Sequence, residues 1–216
     1  MPFAPDLPVL LAFSLAGLVL FLTPGPDMSL WLAKTVAGGR RAGLAAMLGT
    51  QAGCCVHSAL AAGGVSVLVA ASPVAFGALK VAGALYLLWL AAQALRHGTA
   101  LEVARAAGPS RPLPFWPTFL TGLAVNLTNP KVVLFFITFL PGFVAASDPQ
   151  APGKLLFLGL WFVALNVVLA ALLILGAARV LGALRRNPQV LRWLDYAFAG
   201  VFGLFAAAIL KTQARG

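Results

Sequence analysis

Between Leu7 and Ala33 the chain carries a single charge, Asp27, and it follows directly on Pro24-Gly25-Pro26. Two prolines about a glycine cannot continue a helix. Each proline lacks an N–H and crowds the turn before it, and the glycine adds backbone freedom. A second place of the same kind, Leu127-Thr128-Asn129-Pro130-Lys131, interrupts another apolar stretch and ends on a lone charge of opposite sign. Two broken apolar segments, each with one charge at the break, set what the fold has to accommodate.

The setting of these breaks is lipid. Hydrophobic residues make up 61% of the 216 and charged residues 9%, where a soluble domain carries roughly 25% charged. An all-α integral membrane protein follows. The net charge of +10 would point to nucleic acid in a soluble chain. Here the basic residues sit in short loops between apolar runs, where they orient the protein and meet anionic lipid, and no basic stripe has interleaved aromatics. Cys54 and Cys55 are adjacent with no CxxC spacing, so they read as small hydrophobes and not as a redox or thiolate site. No Lys or Arg precedes Lys34, so the N-terminus reads as a retained membrane segment rather than a cleaved leader.

Six spans are expected in one domain, 1–216. Span one runs from about 7 to 22, breaks, and resumes at Asp27 to about 37. Its first part, about 16 residues or roughly 24 Å, falls short of the roughly 30 Å hydrocarbon core, so a tilted, interrupted helix is expected. Gly38-Gly39-Arg40-Arg41 makes a basic turn. Span two covers about 43–71, with small residues that permit close helix approach, and Ser72-Pro73 makes an uncharged turn. Span three covers about 74–95. A polar linker, 98–114, leads to span four, which starts near Phe115, breaks at Asn129-Pro130 and resumes to about Val144, with Pro141-Gly142 near its end. Spans five (about 155–178) and six (about 194–210) flank a basic loop. Arginines in the loops after spans one, three and five place both termini away from the cytoplasm, with Lys211 and Arg215 weighing the other way.

The halves, about 1–97 and 115–216, look like a repeat. Pro26 aligns with Pro130 and Asp27 with Lys131, and span three lies over span six from Leu79/Leu194 to Arg96/Lys211. Three spans per half inverts the second relative to the first. Interrupted helices at matching positions of inverted repeats mark the binding site of many secondary transporters.

Irregular backbone in a membrane is tolerated only against protein or a wet cavity, so Pro24, Gly25, Pro26 and Pro130 are expected to line one central cavity. The half-helices beyond the breaks begin with free N–H groups, which suit a carboxylate. Asp27 has two readings, a cap for its own half-helix and a titratable group that couples transport to protons. Lys131 sits where the helix dipole disfavours a cation and needs a partner, either Asp27 or a substrate carboxylate. Asn129 fits an N-cap. Asn126, with no capping role, is a polar ligand candidate, and His57 is either a packed helix residue or a functional one. Gln51, Lys80, Tyr86, Asn166 and Asp195 are weaker candidates. No cofactor is implied, and the absence of further His, Cys or carboxylate at ligand spacing argues against a metal site.

These residues resemble the LysE/RhtB family of bacterial amino-acid exporters. The matching motifs are Thr23-Pro24-Gly25-Pro26-Asp27, Gly49-x-x-x-Gly53-x-x-x-His57, Leu85-Tyr86-Leu87 and Asn126-Leu127-Thr128-Asn129-Pro130-Lys131. The last continues through Phe135-Phe136 to Phe139-Leu140-Pro141-x-Phe143. Gly142 and Ala91-Ala92 depart from the family's pattern without removing a charged site residue. The resemblance implies export of amino acids or close derivatives across the bacterial inner membrane, driven by proton antiport, with homo-oligomerisation left open. Rival readings are a metal-ion or other small-solute exporter, a membrane-embedded enzyme and a structural membrane protein.

Overall fold

The computed structural model describes residues 4–22, 25–65, 112–145 and 148–177, with single helical positions within 78–92 and 189–207. Apart from those positions, spans three and six, Pro24, most of the linker 98–114 and the basic loop 179–192 lie outside the described residues. So does the span-three to span-six half of the repeat. The described elements are all helical.

Helix α1 (Leu7–Leu22) is apolar on every side. Leu7, Leu11, Leu15, Leu18 and Leu22, spaced three or four apart, point outward, while Phe13, Gly17 and Leu20 are buried. An all-round apolar helix of this kind is what lipid on one face and protein on the other requires. Gly17 lets Phe162 approach: a β-carbon there would lie 3.3 Å from its ring.

Pro26–Leu60 forms α2, with the proline at the first helical position, where its missing N–H is no loss. A straight helix would hold Trp31 and Thr50 roughly 28 Å apart at 1.5 Å per residue. Instead Trp31 Nε1 donates to Thr50 Oγ1 at 3.0 Å. The chain doubles back at one residue, Gly39, with φ 78° and ψ 179°, a conformation essentially closed to side chains with a β-carbon. The basic turn expected over four residues is therefore a single-residue reversal, helical on both sides. Near it the two arms are in close contact, since a β-carbon on Gly43 would run into the Thr35 side chain. The second arm passes into a π-helical turn, Ala61–Val65.

Helix α3 (Phe115–Leu127) lies along that second arm. The seam is made by absent side chains. A β-carbon at Gly49 would meet the Phe119 backbone, one at Gly122 the Ala46 backbone, and one at Gly53 the Asn126 side chain. Close backbone approach through small residues is the usual basis of helix association in lipid.

After a 52° bend the chain resumes as α4 (Pro130–Leu134), which holds α-helical bonding for one turn only. It continues as a π-helical turn, Phe135–Phe139, and a 3-10 turn, Leu140–Phe143. The expected resumption to about Val144 is met in extent but not in form. Pro141 supplies the physical reason, because its ring crowds the carbonyl four residues back and it has no N–H to continue the ladder. Helix α5 (Ala151–Leu175) starts earlier than the expected Leu155 and is 25 residues long, roughly 38 Å and enough to cross. By length and composition Ala151–Leu175 passes as a span and the bent pair Phe115–Leu127 with Pro130–Phe143 as another, while Pro26–Gly64, apolar enough over its 39 residues, is two arms joined at Gly39.

Two apolar clusters pack these helices. One gathers Phe13 and Leu20 of α1, Val132 to Leu140 after the second break, and Leu155, Leu158 and Phe162 of α5. The other gathers Met28, Trp31 and Leu32 with Ala46, Met47, Ala170 and Ile174. Along α5 the gap between the clusters contains a buried Asn166. The polar residues of the breaks lie at that gap.

Candidate functional site

The second break is built around asparagines. Asn129 is the N-cap of α4, its Oδ1 accepting from Lys131 N at 3.1 Å, which leaves its amide donor free to point elsewhere. That donor, Nδ2, reaches Asp27 Oδ1 at 2.9 Å, and Asn126 Nδ2 reaches Asp27 Oδ2 at 2.7 Å. Each carboxylate oxygen of the first break thus accepts from one asparagine of the second. Asp27 does not cap its own helix: the N-cap of α2 is Gly25, without a side-chain bond.

Lys131 makes the return connection. Its Nζ donates to Leu20 O at 2.8 Å, in the last turn of α1, where helix carbonyls lack intrahelical partners and the dipole is negative. Gly25 lies against it, and a β-carbon there would come into ordinary contact with Lys131 Cδ and Nζ, at 3.5 and 3.6 Å. The cation that the dipole of its own helix disfavours is placed at the favourable end of another. Each break's charge therefore serves the other break.

His57 lies beside this centre. Its Nε2 is 3.4 Å from Asn126 O, and its ring stacks on Phe136 at 5.7 Å between centroids. Cys54, one turn before His57, accepts weakly from Asn126 Nδ2 at 3.4 Å. Cys54 is thus buried in the centre, while Cys55 faces outward. Cys54 packs in the apolar core, as its sequence context implies, and its contact with Asn126 is the part that the sequence does not show. A hint of it is the offset of three between Cys54 and His57, on the arm that carries Gly53.

Gly25, Asp27, Asn129 and Lys131 line one small cavity of about 40 Å³ with Leu20, Phe21, Met28, Trp31, Gln51, Cys54, Val132, Phe162 and Asn166. Residues from both breaks meet in it. Pro26 and Pro130 are exposed and outside its lining. His57 and Asn126 stand behind the wall. Gln51 and Asn166, rated weaker from sequence, are in it. Lys80, Tyr86 and Asp195 lie outside the described residues.

A bundle of lipid-length helices, two of them broken, with a carboxylate and an amine facing a shared internal space, is the architecture of a membrane translocator. The chain belongs to the LysE type translocator family, whose sequence model matches residues 18–213. It is 31% identical over 205 residues to a homoserine/homoserine lactone efflux protein of Salmonella typhimurium, covering 94% of this chain and 96% of that protein. A leucine efflux protein of Salmonella choleraesuis is 28% identical over 201 residues, with 93% and 94% covered. An uncharacterized membrane protein of Vibrio cholerae is 30% identical over 197 residues, with 91% and 94% covered. No solved structure matches. The protein is a multi-pass membrane protein, of the inner membrane in bacteria.

Proposed function

We propose that the protein exports amino acids or close amino-acid derivatives from the cytoplasm in exchange for protons, with Asp27 and Lys131 as its centre. The observation that carries this is the meeting of one carboxylate and one amine, each contributed by a different helix break, in one internal cavity. A zwitterion presents the complementary pair, an ammonium for Asp27 and a carboxylate for Lys131. The relatives named for homoserine, homoserine lactone and leucine efflux support a cargo of that size.

A cavity of about 40 Å³ has room for one or two waters and not for an amino acid. On this reading the cavity has to widen and the breaks have to part for cargo to enter. Parting them gives up the bonds from Asp27 to Asn126 and Asn129 and from Lys131 to Leu20. Cargo replaces those bonds with its own charges, which supplies the differential affinity between empty and loaded states that any conformational exchange requires. Asp27, the carboxylate at the centre, takes the proton on the return.

The test is flux from proteoliposomes against a panel of amino acids, with and without a pH gradient. Flux should depend on the gradient, and Asp27→Asn and Lys131→Gln should each lower it about tenfold or more, the scale of one lost hydrogen bond to a charge. Variants that export as fast as the parent would exclude the assignment of the centre. Indifference to the gradient would exclude proton exchange.

A further inference from the structure

Gln51 on the second arm of α2 is 5% exposed and lines the cavity, yet its Oε1 has no hydrogen-bond partner among the described residues. A buried amide oxygen without a donor is costly, and lipid offers no bulk water in compensation. The amides that line the cavity with it, and the adjacent Thr50, are engaged. Asn166 Nδ2 donates to Phe162 O at 3.0 Å, Thr50 Oγ1 is bonded to Trp31 Nε1 and to Met47 O, and Asn129 is bonded to Asp27. Gln51 thus lines the cavity and holds, at its buried Oε1, hydrogen-bonding capacity that the described residues around it do not use.

Its level in the cavity is fixed by its neighbours. Cys54, one turn along the same arm, touches Asn126 at the level of the Asp27 carboxylate. Thr50, adjacent to Gln51, is tied to Trp31, which lies one turn beyond Asp27. Gln51 therefore sits roughly 5 Å from the charged layer, one helical turn towards Gly39. Around it the wall is Phe21, Met28 and Trp31. With the α-ammonium and α-carboxylate held at Asp27 and Lys131, that distance is the reach of a short side chain and one hydrogen bond.

We propose that Gln51 is a specificity-determining residue that reads a hydroxyl or amide near the γ position of the cargo's side chain and disfavours cargo of the same shape with a methyl there. The assignment rests on the export reading above. A hydroxyl donates and accepts, so it satisfies the Gln51 amide in either orientation. An apolar side chain of equal length displaces water from the amide and returns nothing. By that asymmetry, sites made to hydrogen-bond reject analogues lacking the group.

Homoserine and norvaline share a shape and differ in a hydroxyl against a methyl. Proteoliposomes loaded with both at equal concentration give the export ratio from the same vesicles, so the amount of inserted protein cancels. The parent should favour homoserine by about tenfold or more, and Gln51→Met, unbranched and of similar volume, should bring the ratio to within about twofold of unity. A parent that moves both equally overturns the assignment without any variant, as does a Gln51→Met protein with the parent's ratio. In both of those outcomes amino acids still move and the export reading stands. A parent that moves no amino acid in the panel overturns the export reading and this assignment together.

Discussion

Replacing Gly53 by alanine adds one methyl group at the seam between α2 and α3, and its effect can be followed to the site. The new β-carbon would stand 2.9 Å from both Cβ and Cγ of Asn126, and nearer still to Oδ1. Carbon atoms rest at about 3.5 Å or more, so about 0.6 Å has to be found. Asn126 cannot turn aside freely, being fully buried and tied to Asp27 at 2.7 Å. Passing the displacement on stretches that bond to about 3.3 Å, beyond the usual range for a charge-assisted contact. Its loss costs about 1.5–3 kcal/mol, which at 1.4 kcal/mol per tenfold corresponds to an export rate lowered roughly tenfold to a hundredfold. The melting temperature in detergent should fall by roughly 3–10 °C. Gly63→Ala is the matched control, since nothing lies within 4 Å of a β-carbon there, and it should leave both readouts near the parent. The double variant Gly53→Ala/Asn126→Ala should cost less than the sum of its parts, because the second change removes what the first strikes. If Gly53→Ala exported and melted like Gly63→Ala, the seam would not transmit to Asp27 and the reasoning would fail.

Two further outcomes can be checked without transport. Gly39→Ala should lower the melting temperature by an amount corresponding to about 1–3 kcal/mol, purely through the backbone, since its β-carbon would meet nothing within 4 Å; an unchanged melt would refute the strain at φ 78°. In the loop before α5, Asp148 accepts from Lys154 Nζ at 2.6 Å and from Gln150 N at 2.8 Å, and the lysine bond first and the backbone bond second hold its carboxyl below the usual range. The stabilisation is therefore present above the unfolded value near about pH 4 and is lost as pH falls through the lower folded value. The melting difference between parent and Asp148→Asn should accordingly shrink as the pH drops from about 6 to about 3, and a difference independent of pH would refute the coupling.

The helix breaks were legible because proline and glycine act locally: Gly25-Pro26 and Asn129-Pro130 interrupt their helices in lipid or water alike. Asn129 could be read as a cap for the same reason, since the bond runs two residues along the chain. Among the described residues the limits of α1 followed from apolar length, and those of α5 to within a few residues. What stayed hidden depends on partners far away in sequence. Nothing near Lys131 says that its amine is placed on Leu20, and nothing near Asp27 says that its carboxylate leaves its own helix for two asparagines on another. The reversal at Gly39 was placed correctly but read as a four-residue turn. Gly38, Arg40 and Arg41 can all be helical, and only the packing of Trp31 on Thr50 shows that the change of direction falls at a single residue. The π-helical turn at Phe135–Phe139 has no signature of its own beyond Pro141. Gln51 looks like any lone amide until the cavity is seen beside it.

The reversal at Gly39 also works as a ruler. Arg40 and Arg41 are exposed beside it and would be costly in hydrocarbon, so the turn lies at a membrane surface. Asp27 is on the arm leading to that turn, about 18 Å of helix below Gly39 at 1.5 Å per residue. Half the hydrocarbon thickness is about 15 Å. The carboxylate therefore sits near the midplane, with about half of the transmembrane voltage on either side. A full crossing is worth about 2.3 kcal/mol per charge at 100 mV, so a proton moving between Asp27 and either surface exchanges about half of that with the field. Export that uses Asp27 as its proton carrier is thus electrically split into two comparable steps, and the length of one helical arm sets the division.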